Sequence, residues 1–392
     1  MVAGLENHNL YARTPDEAGN DASAARRQRC HEAMRQRTNC AMPTLDARSG
    51  HVPQSDGALQ RLPLVTLYLT ERCNSRCVTC DYWRHGRADM NLESVRRLLP
   101  GLSQMGTRVV LISGGEPLLN PQWADIAQLL QAHGLSAWLL TSGLALAKHA
   151  RAAAQRFDAI TVSMDGTCAQ TYRAIRGLDA FDKVCEGIRA AVAAGARVSL
   201  RVTLQRANYR ELAAFVDLAH QTGASQISFL AVDVANPHAF GRTDAFASDL
   251  ALDASDLPLF EALLRDLEQQ CGADFRSGFI AENPHKLSRI HQYFAAVCGR
   301  SAYPPVRCNA PEFSAVIGVH GQLQPCFFIS GPPEARVHED LPAALNGDAM
   351  RTMRRDIKEK RRHECATCVC SMWREPGSIA HSASLLAPSA VA

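Results

Sequence analysis

Short apolar runs alternate with longer amphipathic stretches along residues 62–232. The first run, Leu64–Leu69, has the continuous apolar character of a strand that is buried on both faces. Five further runs follow it: Val109–Ile112, Ala137–Leu140, Ala159–Ser163, Arg197–Leu204 and Gln226–Ala231. Six strands that alternate with helices predict an α/β fold with a parallel sheet and helices outside it. About 170 residues suit a partial (β/α)6 barrel, an open relative of the eight-unit TIM barrel.

The intervening stretches predict the helices. Apolar residues at helical spacing begin at Leu92, where Pro100 predicts a kink or a stop. Asn208 and Glu211 have the spacing of a capping box, which predicts a helix that runs to about residue 220. Further helices are expected over about 121–133, 145–155 and 181–194.

The alternation stops after residue 235, and a smaller α+β region is expected beyond it. Helices are predicted near 255–271 and 284–297, and a basic helix around 340–360. Two apolar runs flank His320-Gly321-Gln322 and predict a hairpin. The predicted division is a disordered N-terminal extension (1–60), a barrel core (61–235), a helical linker (236–300), a C-terminal α+β domain (301–375) and a flexible tail (376–392).

Composition narrows the function classes. The 392 residues are 46% hydrophobic and 21% charged, and the net charge is only +3, so no strongly basic field favours nucleic acid. The sequence has no run of about 18 apolar residues, and a membrane span is therefore not expected. The N-terminus lacks the cationic start and apolar core of a secretory signal, and a cytoplasmic location is therefore expected.

The cysteines are the first candidates for functional residues. The chain has 14 of them, and Cys73, Cys77 and Cys80 share one loop directly after the first predicted strand. Clustered cysteines in a reducing compartment more often bind metal than form disulfides. The C-x3-C-x2-C spacing suits a cubane iron–sulfur cluster with one iron left open. A zinc site or a four-cysteine cluster with a remote fourth ligand are the alternatives, although zinc ligands usually come as two close pairs.

A second motif gives this loop a context. Ser113-Gly114-Gly115-Glu116-Pro117 follows the second predicted strand, so it lies at the same edge of the sheet as the cysteines. The cysteine spacing, its position and this GGEP turn together resemble the radical S-adenosylmethionine (SAM) superfamily over roughly residues 62–232. The resemblance implies a [4Fe–4S] cluster on the three cysteines and SAM on its open iron. It also implies that Gly114, Gly115, Glu116 and Pro117 bind the SAM amino group.

Other strand ends complete the SAM site that the resemblance implies. Ser142 follows the third strand, and Ser163 and Asp165 end the fourth, where relatives place a polar residue against the SAM ribose. Arg176 is either a ligand of the SAM carboxylate, which suits a guanidinium, or a solvated helix residue. One departure concerns Thr79, because relatives usually have an aromatic residue before the third cysteine. Either Tyr82 or Trp83 replaces it, or both pack beneath the loop.

The remaining clustered cysteines lie near the C-terminus. Cys308, Gly321 and Cys326 are followed by Cys365-x2-Cys368-x-Cys370. This spacing resembles the SPASM and twitch extensions of radical SAM enzymes, in which a hairpin and a later C-x2-C hold an auxiliary cluster. Six cysteines from residue 298 onward suffice for one fully ligated [4Fe–4S] cluster but not two, which favours Cys308, Cys326, Cys365 and Cys368 as ligands. Cys298 and Cys370 are then spare, and a zinc ribbon or a second, incompletely ligated cluster are the alternatives.

Three functions are compatible with these motifs. The first is an enzyme that cleaves SAM and takes a hydrogen atom from a small metabolite or natural-product precursor. The second is a maturase of a ribosomally made peptide, and the third is a non-enzymatic iron–sulfur electron carrier or sensor. The resemblance also implies an external reductant such as flavodoxin or ferredoxin. The basic stretch 351–362 is either a solvated helix face or a docking site for that reductant or for an acidic substrate.

Overall fold

The strands of the molecule follow the predicted alternation closely. The computed structural model describes residues 57–236, 239–242 and 248–375, and the predicted N-terminal extension (except 57–60) and flexible tail lie outside them. The described strands are β1 (Leu64–Tyr68), β2 (Val109–Ser113), β3 (Ser136–Thr141), β4 (Ala159–Ser163), β5 (Val198–Leu204), β6 (Gln226–Ala231), β7 (Ser314–Ile317) and β8 (Leu323–Gln324).

These eight strands form one sheet in the order β6-β5-β4-β3-β2-β1-β7-β8. Strands β1 to β6 pair in parallel with their chain neighbours, as the strand–helix alternation predicts. The predicted partial barrel of six units is therefore confirmed. Because the strands are parallel, the loops after β1 to β5 all emerge at the same edge of the sheet.

The helices lie between the strands and after β6. They are α1 (Leu92–Gln104), α2 (Trp123–Ala132), α3 (Leu146–Arg156), α4 (Ala169–Arg176), α5 (Phe181–Ala193), α6 (Leu212–Thr222), α7 (Leu257–Gln270), α8 (Gly272–Ser277), α9 (Pro284–Val297), α10 (Leu341–Leu345), α11 (Asp348–Lys358) and α12 (His363–Ala366). The predicted basic helix is divided into α10 and α11. In the part of the chain described here, no helix is long and apolar enough to cross a membrane.

A helix stop at Pro100 and a capping box at Asn208 are not observed. Helix α1 continues through Pro100 to Gln104, because its last turn still buries Leu102 in the core. The capping box is absent, and a 3-10 turn precedes α6 instead. The Asn208 side chain donates to the carbonyl of Asp165 (3.0 Å), whereas Glu211 accepts from Thr167. Both side chains are thus used in contacts with the loop after β4.

The C-terminal hairpin is built onto the barrel sheet. Strand β7 pairs in parallel with β1, and β8 pairs antiparallel with β7. Gly321 has φ +80°, and a Cβ there would lie 2.3 Å from the Val337 carbonyl oxygen, so both its conformation and its surroundings require glycine. The hairpin is therefore present as predicted, although its strands are shorter than the apolar runs.

Candidate functional site

The loop that carries Cys73, Cys77 and Cys80 is held by the end of helix α4. The amides of Arg76 and Val78 donate to the carbonyls of Arg176 (3.1 Å) and Ile175 (3.0 Å), two groups that the helix itself leaves unpaired. Gly177 ends α4 with φ +73°, and a Cβ there would lie 2.4 Å from the Arg76 carbonyl oxygen. The approach of the loop to the helix therefore depends on that glycine.

The Gly114-Gly115 turn supports the same loop from the other side. The amides of Gly115 and Glu116 donate to the carbonyls of Thr70 and Arg72, both at 2.8 Å. A Cβ on Gly115 would lie 2.2 Å from the Arg72 carbonyl oxygen. In this structure the absence of a side chain at Gly115 allows the turn to approach the cysteine loop closely.

Glu116 is the hub of a buried hydrogen-bond network. Its side chain is fully buried, and one carboxylate oxygen accepts from the Ser142 amide (2.7 Å) and hydroxyl (2.6 Å). The other accepts from the Thr141 hydroxyl (2.8 Å) and the Leu118 amide (3.2 Å). Ser142 also contacts Asn74 of the cysteine loop (3.3 Å). Thr141 and Asn74 were missed by sequence reasoning, since nothing in their spacing marks them.

Two further predicted residues form a buried ion pair. Arg176 Nη1 lies 3.1 Å from Asp165 Oδ2, and the side chains are only 10% and 2% exposed. Asp165 Oδ1 accepts from the Thr203 amide (2.7 Å). Arg176 Nε is buried with no hydrogen-bond partner in the described structure. Arg176 is thus a buried residue of α4 beside the cysteine loop, and the alternative of a solvated helix residue is excluded.

The three thiols share one electrostatic environment. Burial raises the pKa of Cys73 to about 11 and that of Cys80 to about 12, and it also raises the pKa of Cys77. The nearby Arg176 guanidinium lowers the pKa of all three thiols, and Cys77 raises the pKa of the other two. The thiols therefore lie near one another and near a single buried cation that favours their thiolate forms.

The aromatic residues after the third cysteine pack against the loop. Tyr82 meets Tyr68 edge to face with 5.5 Å between ring centroids, and Trp83 lies beneath Arg84 at 4.6 Å. Tyr82 also lines a cavity of about 260 Å³ between the cysteine loop and the C-terminal hairpin. The described lining residues are Tyr82, His85, Phe240, Arg242, Gln324, Phe327 and Ser330.

The second group of cysteines is assembled from three segments. Cys308 precedes β7, Cys326 follows β8, and Cys365 lies in α12 just before Cys368 and Cys370. Asn309 joins the first segment to the last: its amide donates to the Met372 carbonyl (2.9 Å) and its Nδ2 to the Arg374 carbonyl (2.8 Å). Long-range backbone contacts therefore bring together residues that are more than 60 positions apart.

The thiols of this group influence one another. Burial raises the pKa of Cys326 to about 12, and both Cys308 and Cys365 raise it further. Burial also raises the pKa of Cys368, with contributions from Cys370, Cys326 and Cys308.

Cys298 and Cys370, which were not predicted to bind a cluster, lie in different parts of the structure. Cys370 is close to the second group, because Cys308 raises its pKa and its amide donates to the Cys368 sulfur (3.3 Å). Cys298 donates from its sulfur to the Leu252 carbonyl (3.3 Å), and no contact joins it to the second group in the described residues.

Tyr68 lies between the two cysteine groups. Burial raises its pKa, and both Cys80 of the first group and Cys326 of the second raise it further. Its ring also lies 6.4 Å from that of Phe327, the residue after Cys326. Tyr68, at the end of β1, is therefore near both the cysteine loop and the segment that carries Cys326.

The donor sets suit iron–sulfur clusters in their chemistry. All cysteines of both groups are free thiols. Among the described residues, no three His, Cys, Asp or Glu side chains are arranged to hold a single metal ion. A cubane requires a different arrangement, because each thiolate binds a different iron and the sulfurs stay apart at its corners. Three partly buried thiols on one loop beside a buried cation fit that requirement.

Comparison with known proteins agrees with this geometry. The model of the radical SAM superfamily matches residues 67–219. A GTP 3′,8-cyclase of Erythrobacter litoralis is 31% identical over 301 residues, which are 74% of this chain and 84% of that protein. The mycofactocin maturase MftC of Mycobacterium tuberculosis is 28% identical over 179 residues, 44% of this chain and 46% of that protein. SuiB of Streptococcus suis, solved with its precursor peptide SuiA, has a TM-score of 0.58 at 14% identity, covers 92% of this chain and is itself covered to 86%. That last likeness concerns the fold alone.

Proposed function

The chain belongs to the radical SAM superfamily, whose members bind a [4Fe–4S] cluster and SAM, and we propose that it generates a radical from SAM to act on a small molecule. The observation that carries this proposal is the clamped cysteine loop. Three free thiols lie on a loop that the Gly115 turn and the end of α4 hold from opposite sides.

In this proposal Cys73, Cys77 and Cys80 hold the cluster through three irons and leave the fourth for SAM. When bound, the cluster supplies one electron that breaks a carbon–sulfur bond of SAM, and the resulting 5′-deoxyadenosyl radical takes a hydrogen atom from the substrate. An external reductant such as flavodoxin or ferredoxin provides that electron.

The protein's own residues position these groups. Gly114 to Pro117 present backbone groups to the SAM amino group, and Glu116 keeps the turn and Ser142 in place through its buried network. Ser163 lies at the end of β4, where it is available to the SAM ribose. Asp165 and Arg176 are already paired with each other, so we assign them to support of the cysteine loop ahead of direct contact with SAM.

The second group is proposed to hold one auxiliary [4Fe–4S] cluster on Cys308, Cys326, Cys365 and Cys368. The Cys326 segment lies near Tyr68 at the end of β1, which suits an acceptor for the electron that remains when a substrate radical is oxidised. Oxidation of the substrate is then the overall outcome, which makes the protein an oxidoreductase.

A small-molecule substrate is favoured by the relative that is matched over most of its length. That relative is named for a reaction of GTP, and the present chain covers 84% of it. A maturase of a ribosomally made peptide is the second candidate, supported by the 28% identity to MftC over 44% of the chain.

Formation of 5′-deoxyadenosine tests the radical proposal. The protein is reconstituted with iron and sulfide without oxygen and incubated with SAM and dithionite. The wild type and a Cys168→Ala control, which alters an exposed cysteine outside both groups, are expected to form 5′-deoxyadenosine, and Cys77→Ala is not. No product from the wild type, or equal product from Cys77→Ala, contradicts the proposal.

The same assay separates the two substrate classes. Two fractions are prepared from an extract of cells that naturally produce the protein, one of low-molecular-mass metabolites and one of peptides. Each fraction is added to the assay separately. Stimulation of 5′-deoxyadenosine formation by the metabolite fraction is expected. Stimulation by the peptide fraction alone favours the maturase.

A further inference from the structure

The inner face of the barrel is polar at β4 and β5. Val162 of β4 packs toward the helices, because a Cβ on Gly143 would lie 2.9 Å from both Val162 and Val184 of α5. Side chains alternate along a strand, so Thr161 and Ser163 point to the opposite, inner face. On β5 the same face carries Ser199, Arg201 and Thr203, and Ser199 lies 3.0 Å from Thr161 between hydroxyl oxygens.

Arg201 is exposed although it lies on an interior strand. Strand β5 has neighbours on both sides, and Leu200 and Val202 on its outer face are completely buried. The interior of a closed (β/α)8 barrel is filled mainly by branched apolar side chains. Here the inner face is polar at β4 and β5, and Arg201 is accessible to solvent. The inner face beside Arg201 is therefore open to water, and we call this solvent-accessible region the chamber.

A second cation borders this chamber. Ile280 forms an isolated parallel bridge with Ile227 of β6, and Glu282 accepts a hydrogen bond from the Phe229 amide (2.8 Å). Lys286 lies one turn further along the chain, in α9. Arg201 of β5 is in register with Ser228 of β6, the residue before Phe229, so β6 brings Arg201 toward Glu282. Burial raises the pKa of Glu282, and the nearby Lys286 and Arg201 both lower it. Within the described ranges, neither cationic group has a hydrogen bond or an ion pair.

We propose that Arg201 and Lys286 form a subsite for an oxyanion, a phosphate or carboxylate group carried by the small-molecule substrate. The inference rests on the proposed function and names the substrate class. A guanidinium offers two parallel donors to such a group, and an ammonium adds a second charge.

The position of the subsite agrees with this role. Ser163 is the direct neighbour of Arg201 in the register of β4 and β5, and Ser163 is proposed to face SAM. An anchored substrate therefore lies beside the proposed SAM site. Arg242 of the 260 Å³ cavity is less suitable, since its Nη1 donates to the Asp233 carbonyl (2.7 Å).

Binding of two simple oxyanions tests the subsite without turnover. The reconstituted full-length protein is titrated calorimetrically with inorganic pyrophosphate and, separately, with malonate, in the presence of saturating SAM and without reductant. The two titrations distinguish a phosphate from a carboxylate preference. We expect the wild type to bind at least one of them. Arg201→Gln should weaken that binding about tenfold or more, because one charged donor pair is lost. Lys286→Gln should weaken it in the same direction, and Arg201→Lys should recover part of the loss.

The control is Arg189→Gln, which removes an exposed arginine from the outer helix α5. Its affinity should equal that of the wild type. The subsite is contradicted if the wild type binds neither anion or if Arg201→Gln binds as well as the control. A wild type that binds through Arg201 but forms no 5′-deoxyadenosine contradicts the proposed function and leaves the anion subsite standing.

Discussion

Arg176 Nη1 lies 3.1 Å from Asp165 Oδ2, and this buried ion pair connects the end of β4 to the helix that supports the cysteine loop. A buried pair is costly to break from one side, because the remaining partner keeps its charge without compensation. The pair therefore couples the stability of the barrel to the position of the thiols.

Replacement of Arg176 tests this coupling. Arg176→Gln leaves Asp165 buried and unpaired, and we expect the free energy of unfolding to fall by about 3–5 kcal/mol. Urea denaturation of the cluster-free protein measures this effect separately from cluster loss. The double variant Asp165→Asn/Arg176→Gln should recover part of the lost stability. A urea midpoint of Arg176→Gln equal to that of the wild type contradicts a stabilising role of the ion pair. Arg173→Gln, an exposed position in the same helix, is the matched control.

Gly115→Ala tests the contact between the GGEP turn and the cysteine loop. The added methyl group would lie 2.2 Å from the Arg72 carbonyl oxygen, so the turn has to move away from the loop. We expect a loss of about 1–3 kcal/mol of stability and a lower iron content after reconstitution. Gly347→Ala is the control, since its nearest atom would be at 3.6 Å. Equal iron content in both variants argues against the contact.

Glu116→Gln tests the buried network with almost no change in shape. Both carboxylate oxygens accept hydrogen bonds, from Thr141 and Leu118 on one side and from Ser142 on the other. An amide nitrogen cannot accept, so either orientation places donors against donors. We expect destabilisation by about 1–3 kcal/mol, measured by urea denaturation. If the variant is as stable as the wild type, the hydrogen-bond network does not contribute to the free energy of unfolding.

Iron analysis tests the auxiliary site. The wild type should contain about eight irons per chain and the double variant Cys365→Ala/Cys368→Ala about four. Cys298→Ala should match the wild type, because the Cys298 sulfur bonds to the Leu252 carbonyl away from this group. About four irons in the wild type contradict an auxiliary [4Fe–4S] cluster.

The sequence predicts the strands well because each is a short apolar run with clear ends. Ala159–Ser163 and Gln226–Ala231 are observed with the predicted bounds. The cysteine loop and the GGEP turn are also predicted to share one edge of the sheet, as they do. Their mutual contact is not predictable in the same way, since the close approach of Gly115 to Arg72 arises only when β1 and β2 are paired.

Long-range contacts account for what sequence reasoning missed. The pairing of β7 with β1 joins residues about 250 positions apart, and no local pattern encodes it. The failed capping box has the same cause, because Asn208 and Glu211 find partners in the loop after β4. The burial of Arg176 likewise depends on Asp165, which lies in the loop after β4. The sequence alone therefore did not distinguish a SAM ligand from a solvated helix residue at Arg176.

Three cysteines are proposed to hold a cluster with one iron reserved for SAM. Electron paramagnetic resonance of the dithionite-reduced Cys365→Ala/Cys368→Ala variant examines that iron alone, because the variant retains only the first cysteine group intact. We expect SAM to change the g values of the reduced cluster, since SAM binds directly to the open iron. Identical spectra with and without saturating SAM exclude an iron reserved for SAM.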